Sequence, residues 1–250
     1  MKTIINIIVD NDGYIIAKPD GNGEYVKVMP QGIQRISCIP FYQSAWFATG
    51  KDVRPAVSDF AQAANLLYGG IKGCSALVAC PADAIVADRI MIKENFEVAG
   101  IKKPRLISKT ELGQVLKYTE YIAISVSERL LIVEWYKDSV VAEVKYYNKA
   151  SISKKKLYAD ISNIRQKSDS KIKILIFDAC NELTGIYDMG TVIDAPRMIE
   201  LLKTMSQAVF NKKTLEEIFE EEEISEADYS DEESQVIPNE IVFGEQDEIR

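Results

Sequence analysis

The sequence predicts an α/β protein with a partly parallel sheet, and three observations lead there. Between Cys74 and Ile107 an apolar run, Ala76–Cys80, closes at Pro81, a helical pattern follows, and the chain returns as a strand at Leu106-Ile107. Strand, helix and strand with short joints form a βαβ unit, because parallel neighbours need a crossover between them. A β-branched run, Thr3–Val9, and a second buried-type run, Ile172–Phe177, supply further strands. The 250 residues are 47% hydrophobic, enough to bury one large core or two small ones.

Taken in order, Thr3–Val9 is a strand that ends in the turn-forming run Asp10-Asn11-Asp12-Gly13. Tyr14–Lys18 and Glu24–Met29 are strands of a hairpin joined through Pro19–Gly23, and Pro30–Pro40 carries a further turn and short strand. Val57–Tyr68 is helical and leads to Gly69-Gly70. After Pro81, the pattern Ile85, Ile90, Ile92, Phe96 and Ala99 predicts an amphipathic helix. Asp83 would cap it or sit in its first turn, and Gly100 would stop it.

Thr110–Tyr118 reads as a helix with Ser108 as N-cap and Glu111 as its capping-box partner. Tyr121–Ser127, Leu130–Tyr136 and Val140–Tyr147 read as a three-stranded meander. Ser153–Lys167 is a basic amphipathic helix with Leu157, Ile161 and Ile164 on one face, and Pro196–Val209 is the closing helix. For the basic face of Ser153–Lys167, with Lys154, Lys155, Lys156, Arg165 and Lys167, a solvated surface is the plainer reading and an acidic peptide or nucleic acid the sharper one.

The chain has no histidine, and its four cysteines show no CxxC spacing. That argues against Cys/His zinc sites and Ser-His-Asp catalysis, and it predicts reduced thiols in a cytoplasmic protein. No apolar run approaches the roughly 20 residues of a membrane span. The net charge of −8 is unevenly placed. Residues 214–250 hold 15 acidic side chains and one basic, leaving 23 acidic and 29 basic before them. A mildly basic body therefore carries an acidic appendage, expected as a disordered linker from residue 213. The linker leads to an apolar decapeptide, residues 235–244, in which Val236, Ile237, Pro238, Ile241, Val242 and Phe243 read as a linear motif for another protein or for this one.

Val78-Ala79-Cys80-Pro81-Ala82, Arg89, Ala99-Gly100 and Leu106-Ile107 resemble a signature of the actin and DnaK-type chaperone superfamily: a strand ending V-P-A, a helix carrying an Arg, an A-G stop and a strand ending L-I. Asp10 and Pro40 match family landmarks in spacing. Phe47–Val53 resembles the family's short strand and turn into a helix. The resemblance implies two ribonuclease-H-like lobes facing one cleft, divided as residues 1–110 and 111–212, with the peripheral subdomains missing.

In active relatives that cleft binds Mg-ATP through two phosphate loops, a catalytic Glu and an adenosine loop. Here the first loop reads Asp10-Asn11-Asp12-Gly13-Tyr14 and the second Ser125-Val126-Ser127-Glu128-Arg129. The Glu position falls on Ser108, and the adenosine loop reads Asp178-Ala179-Cys180-Asn181. A phosphate cradle needs small residues whose N–H groups can turn to the anion. The expectation is a non-catalytic interaction or scaffold protein without a cofactor, self-assembling through its terminal motif. The alternative is an ATP-binding, polymer-forming or chaperone-like member, with Asp10, Asp12 and Gly13 as candidate magnesium and phosphate ligands. A third reading is nucleic-acid binding gated by the acidic tail.

Overall fold

The computed structural model describes residues 3–36, 39–48, 54–168 and 171–211. Its first half holds strands β1 (Ile4–Val9), β2 (Tyr14–Ala17), β3 (Tyr25–Val28), β4 (Ser75–Cys80) and β5 (Lys103–Ser108). Helices α1 (Phe41–Ala48) and α2 (Arg54–Tyr68) precede β4, and α3 (Val86–Val98) links β4 to β5. A 3-10 segment, Lys109–Leu116, leads into β6 (Glu120–Val126), β7 (Leu130–Lys137) and β8 (Val140–Asn148). Then come α4 (Lys154–Arg165), β9 (Lys173–Phe177), a 3-10 turn (Thr184–Met189), β10 (Thr191–Ile193) and α5 (Ala195–Asn211).

The two sheets repeat one topology. The first runs β3-β2-β1-β4-β5 and the second β8-β7-β6-β9-β10. In each, three strands form an antiparallel meander and two more add in parallel to the first. The chain therefore contains two copies of the ribonuclease-H-like arrangement that the resemblance implies.

Both faces of the central strands are buried, which is why they read as continuous apolar runs instead of alternating ones. Ile5, Ile7, Val9, Val78 and Cys80 face an outer core with Phe60, Ile92 and Phe96 from the helices. Ile122, Ile124 and Val133 face a second outer core with Leu157, Ile161 and Ile164 of α4. Between the sheets lies a third core. Ile8, Leu77 and Ala79 of one sheet and Ala123, Leu175 and Phe177 of the other close on Leu112 and Val115 of the 3-10 segment and on Met198, Ile199 and Leu202 of α5. Each fully buried Leu or Ile contributes about 2 kcal/mol, so this shared layer holds the lobes as one body.

Several expectations need correction. The short strand expected within Pro30–Pro40 is absent from its described residues, which are irregular. Phe47 and Ala48 end helix α1 instead of forming a strand, and residues 49–53 lie outside the described residues. On α3, Ile92 and Phe96 are buried but Ile85 and Ile90 are exposed, because Asp88 and Asn95 take the inward positions of that stripe. Asp83 does not cap α3; the Ile85 N–H donates to Asp88 Oδ2 at 3.1 Å. The capping pair Ser108–Glu111 forms, with the Ser108 N–H donating to Glu111 Oε1 at 2.9 Å. The segment it opens is a 3-10 helix, ended by Lys117 in the left-handed region (φ 57°). The three-residue β10 and the turn before it carry too few residues to show a period. The acidic tail and the 235–244 motif lie outside the described residues.

Candidate functional site

The turns at the strand ends of the two lobes meet along a polar seam, in two clusters. The first centres on the β1–β2 turn. Its backbone closes on itself, Asp10 N–H donating to Gly13 O at 2.9 Å. Arg35 donates to the carbonyls of Asn11 (3.1 Å) and Asp12. Gly13 is needed for packing: a Cβ there would run into the Val28 carbonyl of β3.

Across the seam stands the loop after β9. Asp178, 1% exposed, organises it by accepting the N–H groups of Cys180 (3.2 Å), Glu182 (3.0 Å) and Leu183 (2.6 Å) and the Tyr187 hydroxyl (2.9 Å). The loop so held presents the Cys180 thiol to the buried Asp10 carboxylate and Glu182 Oε1 to Asn11 Nδ2, at 2.5 Å. Lys27 Nζ donates to Cys180 Sγ at 2.8 Å and stands 3.8 Å from Asp12 Oδ2. Burial first, then the Asp10 carboxylate, pushes the Cys180 thiol up to about 11 against the opposing pull of Lys27. At neutral pH it is a thiol that donates to Asp10.

The second cluster joins the β6–β7 turn to the start of α3. Arg129 Nε donates to Asp83 Oδ2 at 2.9 Å, and its Nη2 donates to the Asp83 carbonyl and to Asp88 Oδ2, each at 3.0 Å. Ser127 Oγ donates to Asp83 Oδ2 at 2.8 Å and accepts the N–H groups of Arg129 (3.1 Å) and Leu130 (3.0 Å). Gln43 of α1 donates to Asp88 Oδ1. Asp88 is fully buried.

Behind these turns lies a buried polar layer. Lys109, 2% exposed, donates to the Val126 carbonyl at 2.6 Å. Ser108 and Thr110 hydroxyls meet at 2.7 Å, and Thr110 meets the Tyr136 hydroxyl at 3.1 Å. Glu134 of β7 points into this layer with Oε2 lacking a hydrogen-bond partner among the described residues. Burial, aided by Glu111 and opposed first by a hydrogen bond from Thr110, pushes its carboxyl up to about 7.

The structure thus places Asp10, Asp12 and Gly13 together at the first turn, with Asp10 already partnered across the seam. Among the described residues no group of three or more His, Cys, Asp or Glu is arranged to hold a metal ion. Val236, Ile237, Pro238, Ile241, Val242 and Phe243 lie outside the described residues. Sequence reasoning missed Arg129, Asp83, Cys180 and Glu182 as a set, because they are distant in the chain; a charged turn residue at each of two repeated loops was the available signal. No helix among the described residues is long and apolar enough to cross a membrane.

No protein-family model and no curated protein sequence matches the chain. Solved structures do. The AlfA filament bound to AMPPNP is 11% identical, with a TM-score of 0.50 over 88% of this chain and 100% of that one. MreB5 of Spiroplasma citri bound to AMPPNP is 8% identical, with a TM-score of 0.48 over 84% and 98%. Ethanolamine utilization protein EutJ from Carboxydothermus hydrogenoformans is 11% identical, with a TM-score of 0.48 over 79% and 86%. Two repeated five-stranded sheets around a shared helical layer, together with the likeness to AlfA, define an actin-like fold. At 11% identity the likeness to AlfA speaks to the fold alone.

Proposed function

We propose that this chain is a non-catalytic interaction protein, an actin-like scaffold that associates with further copies of itself through the terminal segment 235–244. The observation that carries this reading is the seam. Arg129 bridges Asp83 and Asp88 at the second turn, and Cys180 and Glu182 engage Asp10 and Asn11 at the first. Phosphoryl transfer is almost wholly positioning and charge stabilisation. A triphosphate placed there would have to displace these contacts and then meet the carboxylates of Asp10 and Asp12 at the first turn and, at the second, Glu128 beside Arg129 and Leu130 N–H groups already bonded to Ser127 Oγ. The residues present do not fit a magnesium nucleotide. AlfA forms a filament, and the same fold here supports self-association as the use that remains.

The opposing reading, an ATP-binding member, draws on the AMPPNP bound to AlfA. Isothermal titration of the full chain with ATP, with and without magnesium, separates the two. No heat and no thermal shift are expected. Micromolar affinity that disappears in Asp10→Ala would overturn the proposal.

A further inference from the structure

The four sheet edges are unequal. β3 is four residues long and packed by α2, β10 is three residues long, and β5 carries Pro104 between Lys103 and Arg105. Short strands, proline and charge are the usual devices that keep an edge from pairing. β8 lacks them. It is nine residues long and, among the described residues, pairs only with β7. Val140, Val141, Val144 and Tyr146 are exposed along it. Its charged residues Glu143 and Lys145 turn instead to α4 and its flank, pairing with Lys167 and Asp160.

The chain also carries a segment that matches this edge. Residues 235–244 are of strand length and mostly apolar, with Glu240 their one charge, and Pro238 is tolerated in a strand that pairs on one side only. The acidic stretch before them suits the basic surroundings of β8, where Lys155 and Lys156 of α4 are exposed. Residues 212–234 can extend to about 75 Å, enough to reach a neighbouring molecule.

We infer that residues 235–244 of one copy add as a strand to the free edge of β8 in a second copy. This rests on the proposed self-association and names its acceptor. Backbone hydrogen bonds along the edge hold the segment, Val144 and Tyr146 receive alternate apolar side chains, and the acidic linker meets the α4 lysines.

The test uses full-length protein in light scattering and hydrogen–deuterium exchange. Two double variants are compared with the wild type: Val144→Lys/Tyr146→Glu on β8 and Ile241→Asp/Phe243→Asp in the terminal segment. Each should weaken association at least tenfold, and mixing the two should restore a heterodimer, since one supplies the intact edge and the other the intact segment. Amides of 140–148 should be protected in the wild type and lose protection in the segment variant. Val141→Arg, at the exposed end of the hairpin, provides a second edge change should the double variant misfold. If edge variants assemble like wild type while the segment variant does not, the acceptor lies elsewhere and only this inference fails. If the segment variant assembles normally, or wild type is monomeric with β8 protected by its own tail, the trans pairing and the self-association reading fall together.

Discussion

Arg129 and Asp83 join the two lobes where the β6–β7 turn faces the first lobe: the guanidinium donates to both the carboxylate and the carbonyl of Asp83, at 2.9 and 3.0 Å. The same guanidinium reaches Asp88, so one cation serves two buried carboxylates.

Arg129→Ala should therefore leave Asp83 and Asp88 buried without their cation. Removing one partner of a buried pair costs about 3–5 kcal/mol. Partial exposure of Arg129 lowers the expectation to about 2–3 kcal/mol in urea denaturation. Arg129→Lys should recover less than half of this, because an ammonium cannot reproduce the fork that spans both carboxylates.

Glu134 makes stability depend on pH. Its folded value is raised from 4.5 to about 7, so the folded state holds a proton that the unfolded chain has released. Its contribution is full below pH 4.5 and is lost as pH rises through 7. At about 1.4 kcal/mol per unit, the loss amounts to roughly 3 kcal/mol. Glu134→Gln should remove the dependence, gaining on the wild type between pH 5 and 8. Parallel stability curves for the two proteins would refute the assignment.

Gly13→Ala separates packing from ligand binding at the first turn. The new methyl meets the Val28 carbonyl, so β3 must shift and thermal stability should fall by about 1–3 kcal/mol. The loss should be the same with and without ATP and magnesium.

Cys180 reports on closure of the seam. With its thiol pushed up to about 11, alkylation at pH 8 should be slow for a half-buried cysteine. Asp10→Asn removes a carboxylate that raises this value while leaving Lys27 in place. Labelling should then speed by about tenfold for each unit of decrease, read by peptide mass spectrometry with Cys74 as internal control.

Much of the architecture was legible. The run Ala76–Cys80, the stop at Gly100 and the pair Ser108–Glu111 act locally, and local propensity is written in neighbouring residues. The meander of β6, β7 and β8 and the buried face of α4 followed for the same reason. Ile85, which precedes α3, and Ile90 on it are exposed against expectation because period alone does not say which stripe faces the sheet, and Asp88 turns inward to Arg129. The helix at Phe41–Ala48, where the family landmark has a short strand beginning at Phe47, and the irregular described residues of Pro30–Pro40 depart from what the sequence led one to expect.

By itself, the sequence determined a βαβ unit with further strands, a basic body and an acidic tail, and only the family resemblance implied a second copy of the plan. Only the tertiary structure decided what fills the space between those turns. Arg129 lies 46 residues from Asp83, and Cys180 lies 170 from Asp10. Such pairs are brought together by the shared hydrophobic layer of α5 and the 3-10 segment, whose burial energy is collective and leaves no local mark on the residues it aligns.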